Sequence, residues 1–148
     1  VVVGTPTQQV VATTSTSETP VSNSSSNAFF TNTIDTKDEF EAVLADAQSK
    51  DKLVFVDVYA DWCIECKIMA KTLFADGEVQ TAMEDFVRIK LDITAFDDFH
   101  KSYLEEQGVF GPPALLFYGL DGSSIQDAQI LGEISKADFL NHLDQFDP

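Results

Sequence analysis

The 148-residue chain is 44% hydrophobic, enough for one packed core, and carries 25 acidic against 9 basic side chains for a formal net charge of −16. Charge of that sign repels phosphate backbones and anionic headgroups over a Debye length of roughly 8 Å at physiological salt, which argues against a nucleic-acid partner. No run reaches the ~18 apolar residues of a membrane span, and the N-terminus lacks the basic region and long apolar core of a signal peptide, so a soluble chain without membrane insertion is expected.

Val1 stands where an initiator methionine would, and Val1 to Val3 lead straight into polar sequence, which suggests a mature or excised piece of a longer protein. Residues 1–28 hold twelve Ser or Thr, two prolines and a single charge, Glu18, with no apolar periodicity. They are expected to form a flexible linker, spanning on the order of 30 Å, ahead of a domain at 29–148. Composition changes at Phe29-Phe30, and Thr36 three residues ahead of Glu39 makes a capping-box pattern. It precedes Phe40, Val43, Leu44 and Ala47, predicting a helix over 37–48. Lys52 to Tyr59 (KLVFVDVY) is almost continuously β-branched and aromatic, the pattern of a central strand covered on both faces.

After Asp61-Trp62-Cys63, the residues Ile64, Cys66, Met69, Ala70 and Leu73 recur at helical spacing, and Glu78 to Met83 reads as another short helical segment. Phe86 to Ile93 predicts a second buried strand, Asp97 to Glu106 a helix, and Ser135 to Phe146 a terminal helix. Between these, Ala114 to Tyr118 and Ser124 to Leu131 predict a hairpin around Asp121-Gly122. Phe74, Phe86, Phe96, Phe99, Phe110 and Phe117 are assigned to the core. The alternation of strands and helices gives an α/β sandwich.

Only two cysteines occur, Cys63 and Cys66, and they fall where a strand passes into a helix. A spacing of i, i+3 on a helix leaves Cβ atoms about 5–6 Å apart, a small adjustment from the roughly 3.5–4.5 Å of a disulfide. At the helix N-terminus, free N–H groups and the positive end of the helix dipole favour a thiolate at Cys63, the attacking form. Cys66, one turn inside and facing the sheet, is placed as the resolving thiol. Two other readings stay open: a stapling disulfide, although so short a loop would contribute only about 2 kcal/mol, and a zinc site, although His100 and His142 are not in ligand spacing.

The run from Val56 to Cys63 (VDVYADWC), with Cys66-Lys67, resembles the thioredoxin superfamily and, within it, the C-terminal periplasmic domains of DsbD-type membrane thiol:disulfide interchange proteins, over about Phe29 to Phe146. Ile64-Glu65 replaces the Gly-Pro that ordinary thioredoxins carry between the cysteines. The resemblance implies a thioredoxin fold, with a central mixed β-sheet flanked by helices in a three-layer α/β/α sandwich. The run from Gly108 to Phe117 (GVFGPPALLF) is similar to the superfamily's cis-proline loop, with Pro113 at the cis position. Pro112 before it has no N–H to offer a bound partner, a departure from the pattern. Pro112, Pro113 and Trp62, which shields the sulfur, are assigned to partner binding. Asp57 matches the buried acid that handles the proton of the resolving cysteine. Ala70 stands where these domains place a second acid, for which Glu65 is a partial substitute. Asp57, Asp61 and Glu65 together oppose a thiolate at Cys63 and point to a reducing couple.

What the resemblance implies for function is a reductive electron relay in the periplasm, without metal or cofactor. Its partners would be the transmembrane and N-terminal periplasmic domains of the same DsbD-like protein and other periplasmic thiol–disulfide proteins. The alternatives are a free-standing periplasmic thioredoxin-like reductant serving cytochrome c maturation or repair, and a redox-inactive peptide-binding module.

Overall fold

The computed structural model describes residues 29–146; the linker assigned to 1–28 lies outside the described residues. The elements run β1 (Asn32–Ile34), α1 (Lys37–Ser49), β2 (Val54–Tyr59), α2 (Ile64–Thr72), α3 (Gly77–Ala82), β3 (Val87–Asp92), α4 (Asp98–Gln107), β4 (Ala114–Tyr118), β5 (Ile130–Leu131) and α5 (Lys136–Leu143). Short 3₁₀ turns occupy Gln126–Ala128 and Asp144–Phe146.

The five strands order as β1-β3-β2-β4-β5, with β2 at the centre. It runs parallel to β3, where Asp57 faces Lys90, and antiparallel to β4, where Val58 faces Ala114. Side chains alternate across the pleat. Val54, Val56 and Val58 therefore join Phe40, Ile89, Leu91, Tyr103 and Leu116 in one buried cluster, on the side covered by α1 and α4. Phe55 joins Phe74, Leu115, Phe117 and Phe139 on the other side, beneath α2, α3 and α5. This is the mixed, three-layer α/β/α sandwich of the thioredoxin fold.

Helix starts follow local chemistry. The Thr36 hydroxyl caps α1 by accepting the Glu39 N–H at 3.4 Å, and it donates to the Glu39 carboxylate at 2.9 Å in place of the full reciprocal box. The full box occurs instead at α4, where the Asp97 carboxylate accepts the His100 N–H and His100 Nδ1 accepts the Asp97 N–H.

Three expectations need correction. Strand β1 was not foreseen: Asn-Thr-Ile has no apolar run, and only Ile34 is buried. The strand expected at 124–131 shrinks to Ile130–Leu131, because Asp121 accepts both the N–H and the hydroxyl of Ser123 and the chain then makes a 3₁₀ turn, leaving a lone Tyr118–Ser124 bridge. Finally, Phe96 and Phe110 are not core: they are 39% and 102% exposed, whereas Phe74 and Phe117 are fully buried. Phe96 occupies a loop position with positive φ, and Phe110 stands in the loop before Pro112.

Candidate active site

The parallel strands β2 and β3 end at the same edge of the sheet, and β4 begins there. From β2 the chain turns through Ala60, whose carbonyl accepts the Cys63 N–H at 3.0 Å, and enters α2. Cys63 is the N-cap of that helix: its backbone is extended and its Sγ accepts the Cys66 N–H at 3.1 Å. A helix N-terminus has spare N–H donors, and here one of them is aimed at sulfur. Cys63 and Cys66 are joined as a disulfide with Cα atoms 5.3 Å apart. They are 4% and 2% exposed, and Cys66 Sγ lies 3.8 Å from the Val58 carbonyl.

Asp57 is 4% exposed on the central strand, one residue before Val58, and its carboxylate has no hydrogen-bond partner among the described residues. Burial pushes its carboxyl up to about 7, opposed by the positive charge of Lys90 directly across on β3. Lys90 is itself held with Nζ 4.0 Å from the centroid of the Tyr59 ring. The Tyr59 hydroxyl donates to Asp61 at 2.9 Å, and burial, reinforced by that carboxylate, pushes the phenol up to about 12.

Thr94, just past β3, ties down the approach to the cysteines. Its hydroxyl oxygen accepts the Asp61 N–H at 2.9 Å and its carbonyl accepts the Trp62 indole N–H at 3.0 Å. Its own N–H and hydroxyl both donate to Asp92. Trp62 is thereby fixed in orientation while remaining 55% exposed. Glu65 is exposed in the first turn of α2, and Ala70 is half-buried on the same helix.

The Pro112–Pro113 bond is cis. Because Ala114 pairs with Val58, this loop sits beside the strand end that leads to Cys63. The Pro113 carbonyl accepts the Gly132 N–H at 3.0 Å, and Val109, Phe110, Pro112, Pro113 and Leu131 line a shallow cavity of about 360 Å³. The structure thus brings Asp57, Asp61, Trp62, Cys63, Cys66, Pro112 and Pro113 to one edge of the sheet. Lys90, Tyr59 and Thr94 belong there too and were missed by sequence reasoning; the alternation of VRIKLD marks Lys90 as a strand residue but says nothing of what lies across from it.

The two histidines have other work. His100 is buried in the α4 cap with Nε2 2.8 Å from the Asp35 carbonyl, and His142 Nε2 is 2.7 Å from the Ala128 carbonyl. Among the described residues, no three His, Cys, Asp or Glu side chains group as metal ligands.

A strand-to-helix cysteine pair, a buried acid on the strand that leads to it and a cis-proline loop at the start of the neighbouring strand define a protein of the thioredoxin fold. The family model described as "Thioredoxin-like" matches residues 35–119. The thiol:disulfide interchange protein DsbD of Pseudomonas fluorescens is 35% identical over 126 residues, covering 85% of this chain and 22% of that protein. DsbD of Yersinia enterocolitica is 40% identical over 97 residues, covering 66% and 17%. The chain therefore spans about a fifth of the length of these curated relatives. The crystal structure of the Neisseria meningitidis DsbD C-terminal domain in the oxidised form superposes with a TM-score of 0.68 at 33% identity, covering 76% of this chain and 97% of that one. The chain belongs to the thioredoxin-like family and, within it, to the C-terminal domains of DsbD.

Proposed function

We propose that the domain is a reductive electron relay, facing the periplasm, that takes electrons from a membrane-embedded domain of a DsbD-like protein and passes them to its N-terminal periplasmic domain or to other periplasmic disulfides. The observation that carries this reading is the Cys63–Cys66 pair at the N-terminus of α2 with the buried Asp57 one residue from the carbonyl that Cys66 Sγ approaches.

In the reduced state the Cys63 thiolate attacks one sulfur of the partner's disulfide, forming a mixed disulfide and releasing the partner's first thiolate. The Cys66 thiol then gives its proton to the Asp57 carboxylate and attacks Cys63 Sγ, expelling the partner's second thiolate. The products are the Cys63–Cys66 disulfide and a dithiol on the partner, with two electrons transferred. Asp57 then returns its proton to solvent or to the departing sulfur. Trp62 and the Pro112–Pro113 loop flank the sulfur atoms and receive the partner's chain; since Pro112 has no N–H, that chain docks without a backbone bond there. The carboxylates of Asp57, Asp61 and Glu65 oppose a thiolate at rest, which favours the disulfide product and makes the couple reducing.

Two measurements test the relay. In the Cys66→Ser variant, resolution is blocked, so a mixed disulfide through Cys63 accumulates with an oxidised N-terminal DsbD domain and is released by dithiothreitol; no adduct, or one that persists in Cys63→Ser, sinks the mechanism. Trp62, the single tryptophan, neighbours the disulfide that quenches it, so its emission follows redox state in glutathione buffers. A potential near about −270 mV is expected, and one near about −120 mV would make the domain an oxidant.

A further inference from the structure

Phe96 stands in the left-handed region of the backbone with φ 49°. For a bulky aromatic residue this conformation is a true outlier, held by glycine or asparagine where nothing else is asked of the position. Burial does not account for it, since the ring is 39% exposed. What the ring does touch is functional ground: it meets the Trp62 indole edge-on at 6.3 Å, and Lys101 Nζ lies 5.5 Å from its centroid. Its loop is joined to the cysteine approach by the two Thr94 hydrogen bonds that hold Asp61 and Trp62. Backbone strain retained next to reacting groups is characteristic of residues kept for recognition.

We infer that Phe96 is a specificity-determining residue: with Trp62 it forms an aromatic platform that receives an apolar side chain flanking the partner's disulfide. This rests on the relay reading above. Any partner whose sulfur reaches Cys63 must pass Trp62, the adjacent residue, so the platform is continuous with the path of attack. Its occupant is a short extended segment of the partner with an aliphatic or aromatic residue next to its cysteine. Phe96 has no hydrogen bond to either cysteine among the described residues, so the platform acts on which disulfide is reduced and not on the equilibrium of the couple.

The test uses the full chain and two disulfide-closed peptides alike except for Leu or Ser beside one cysteine. The wild-type chain, first reduced with dithiothreitol and freed of it, is expected to pass its two electrons to the Leu peptide with a second-order rate constant about 10-fold above that for the Ser peptide, a contact equivalent to partial burial of one leucine. In Phe96→Asn, which accepts the left-handed backbone, the preference should fall to within about 2-fold and the melting temperature should not drop. Phe96→Tyr should keep the preference, and in both variants the equilibrium with glutathione should move by less than about 2-fold. No preference in the wild-type chain, a preference retained in Phe96→Asn, or a glutathione equilibrium displaced in step with it overturns the inference and leaves the relay standing. Failure of the wild-type chain to reduce either peptide overturns both.

Discussion

A buried carboxyl group without a hydrogen-bond partner must cost stability whenever it ionises. Asp57, with its carboxyl pushed up to about 7 against an ordinary value near 4, binds its proton more tightly in the folded than in the unfolded chain. The folded state therefore loses stability as pH rises from about 4 through 7, and the cost is complete above 7. Asp57→Asn, which cannot ionise, should stabilise the oxidised domain by on the order of 2–4 kcal/mol at pH 8 and by almost nothing at pH 4, read from urea unfolding at the two pH values. A gain that is the same at both would assign it to packing. The same variant should resolve mixed disulfides about 100-fold more slowly if the acid takes the Cys66 proton. Asp57 was legible through its match to the buried acid of the family the sequence resembles, and the cysteines were legible because their spacing and their place at a helix start are local. Lys90 was not, since strand register is set by contacts far apart in the chain. Phe96 was misassigned for a related reason: composition counts a phenylalanine as core and carries no sign of a backbone angle.

Elements with dense local signals were readable, and those depending on neighbours were not. β4 falls at Ala114–Tyr118 as its unbroken apolar run predicts, and α1 starts where Thr36 caps it. β1 and β5 are edge strands of three and two residues that exist because β3 and β4 offer free hydrogen-bonding edges, a property of the assembled sheet. At the centre of the layer beneath α2 and α5, Phe55 is fully buried, with ring centroids of Phe74, Phe117 and Phe139 at 5.8, 5.4 and 6.0 Å. Phe55→Ala should destabilise by about 3–5 kcal/mol, whereas Phe110→Ser, on a ring wholly in solvent, should stay within about 0.5 kcal/mol. Denaturant midpoints of the two variants check this. Equal losses would mean that Phe110 packs against something in solution, and the loop beside Pro112 would then need a different description.

At the scale of the whole molecule, 25 acidic residues against 9 basic ones set the response to pH and salt. Self-repulsion at a net charge of −16 opposes the compact state, and salt screens it over a Debye length that shrinks from about 10 Å at 0.1 M to about 3 Å at 1 M. Added salt should therefore raise the melting temperature at pH 7 by a few degrees, equivalent to about 1 kcal/mol. Acidification works in the same direction at first, because protonating surface carboxylates relieves repulsion and protonating Asp57 removes a buried charge. It turns unfavourable where carboxylates held below their ordinary values lose their partners. Asp76, bonded to Lys136 and to the N–H groups of Val79 and Glu78, and Asp121, bonded to Ser123, are of this kind, and their contribution is present above pH 4 and lost as pH falls. The two trends cross, placing the stability maximum on the acid side of neutrality, between about pH 4 and 6. Thermal unfolding from pH 3 to 9 at low and high salt checks the balance: the maximum should persist in high salt through Asp57, and its disappearance there would assign the whole effect to surface repulsion.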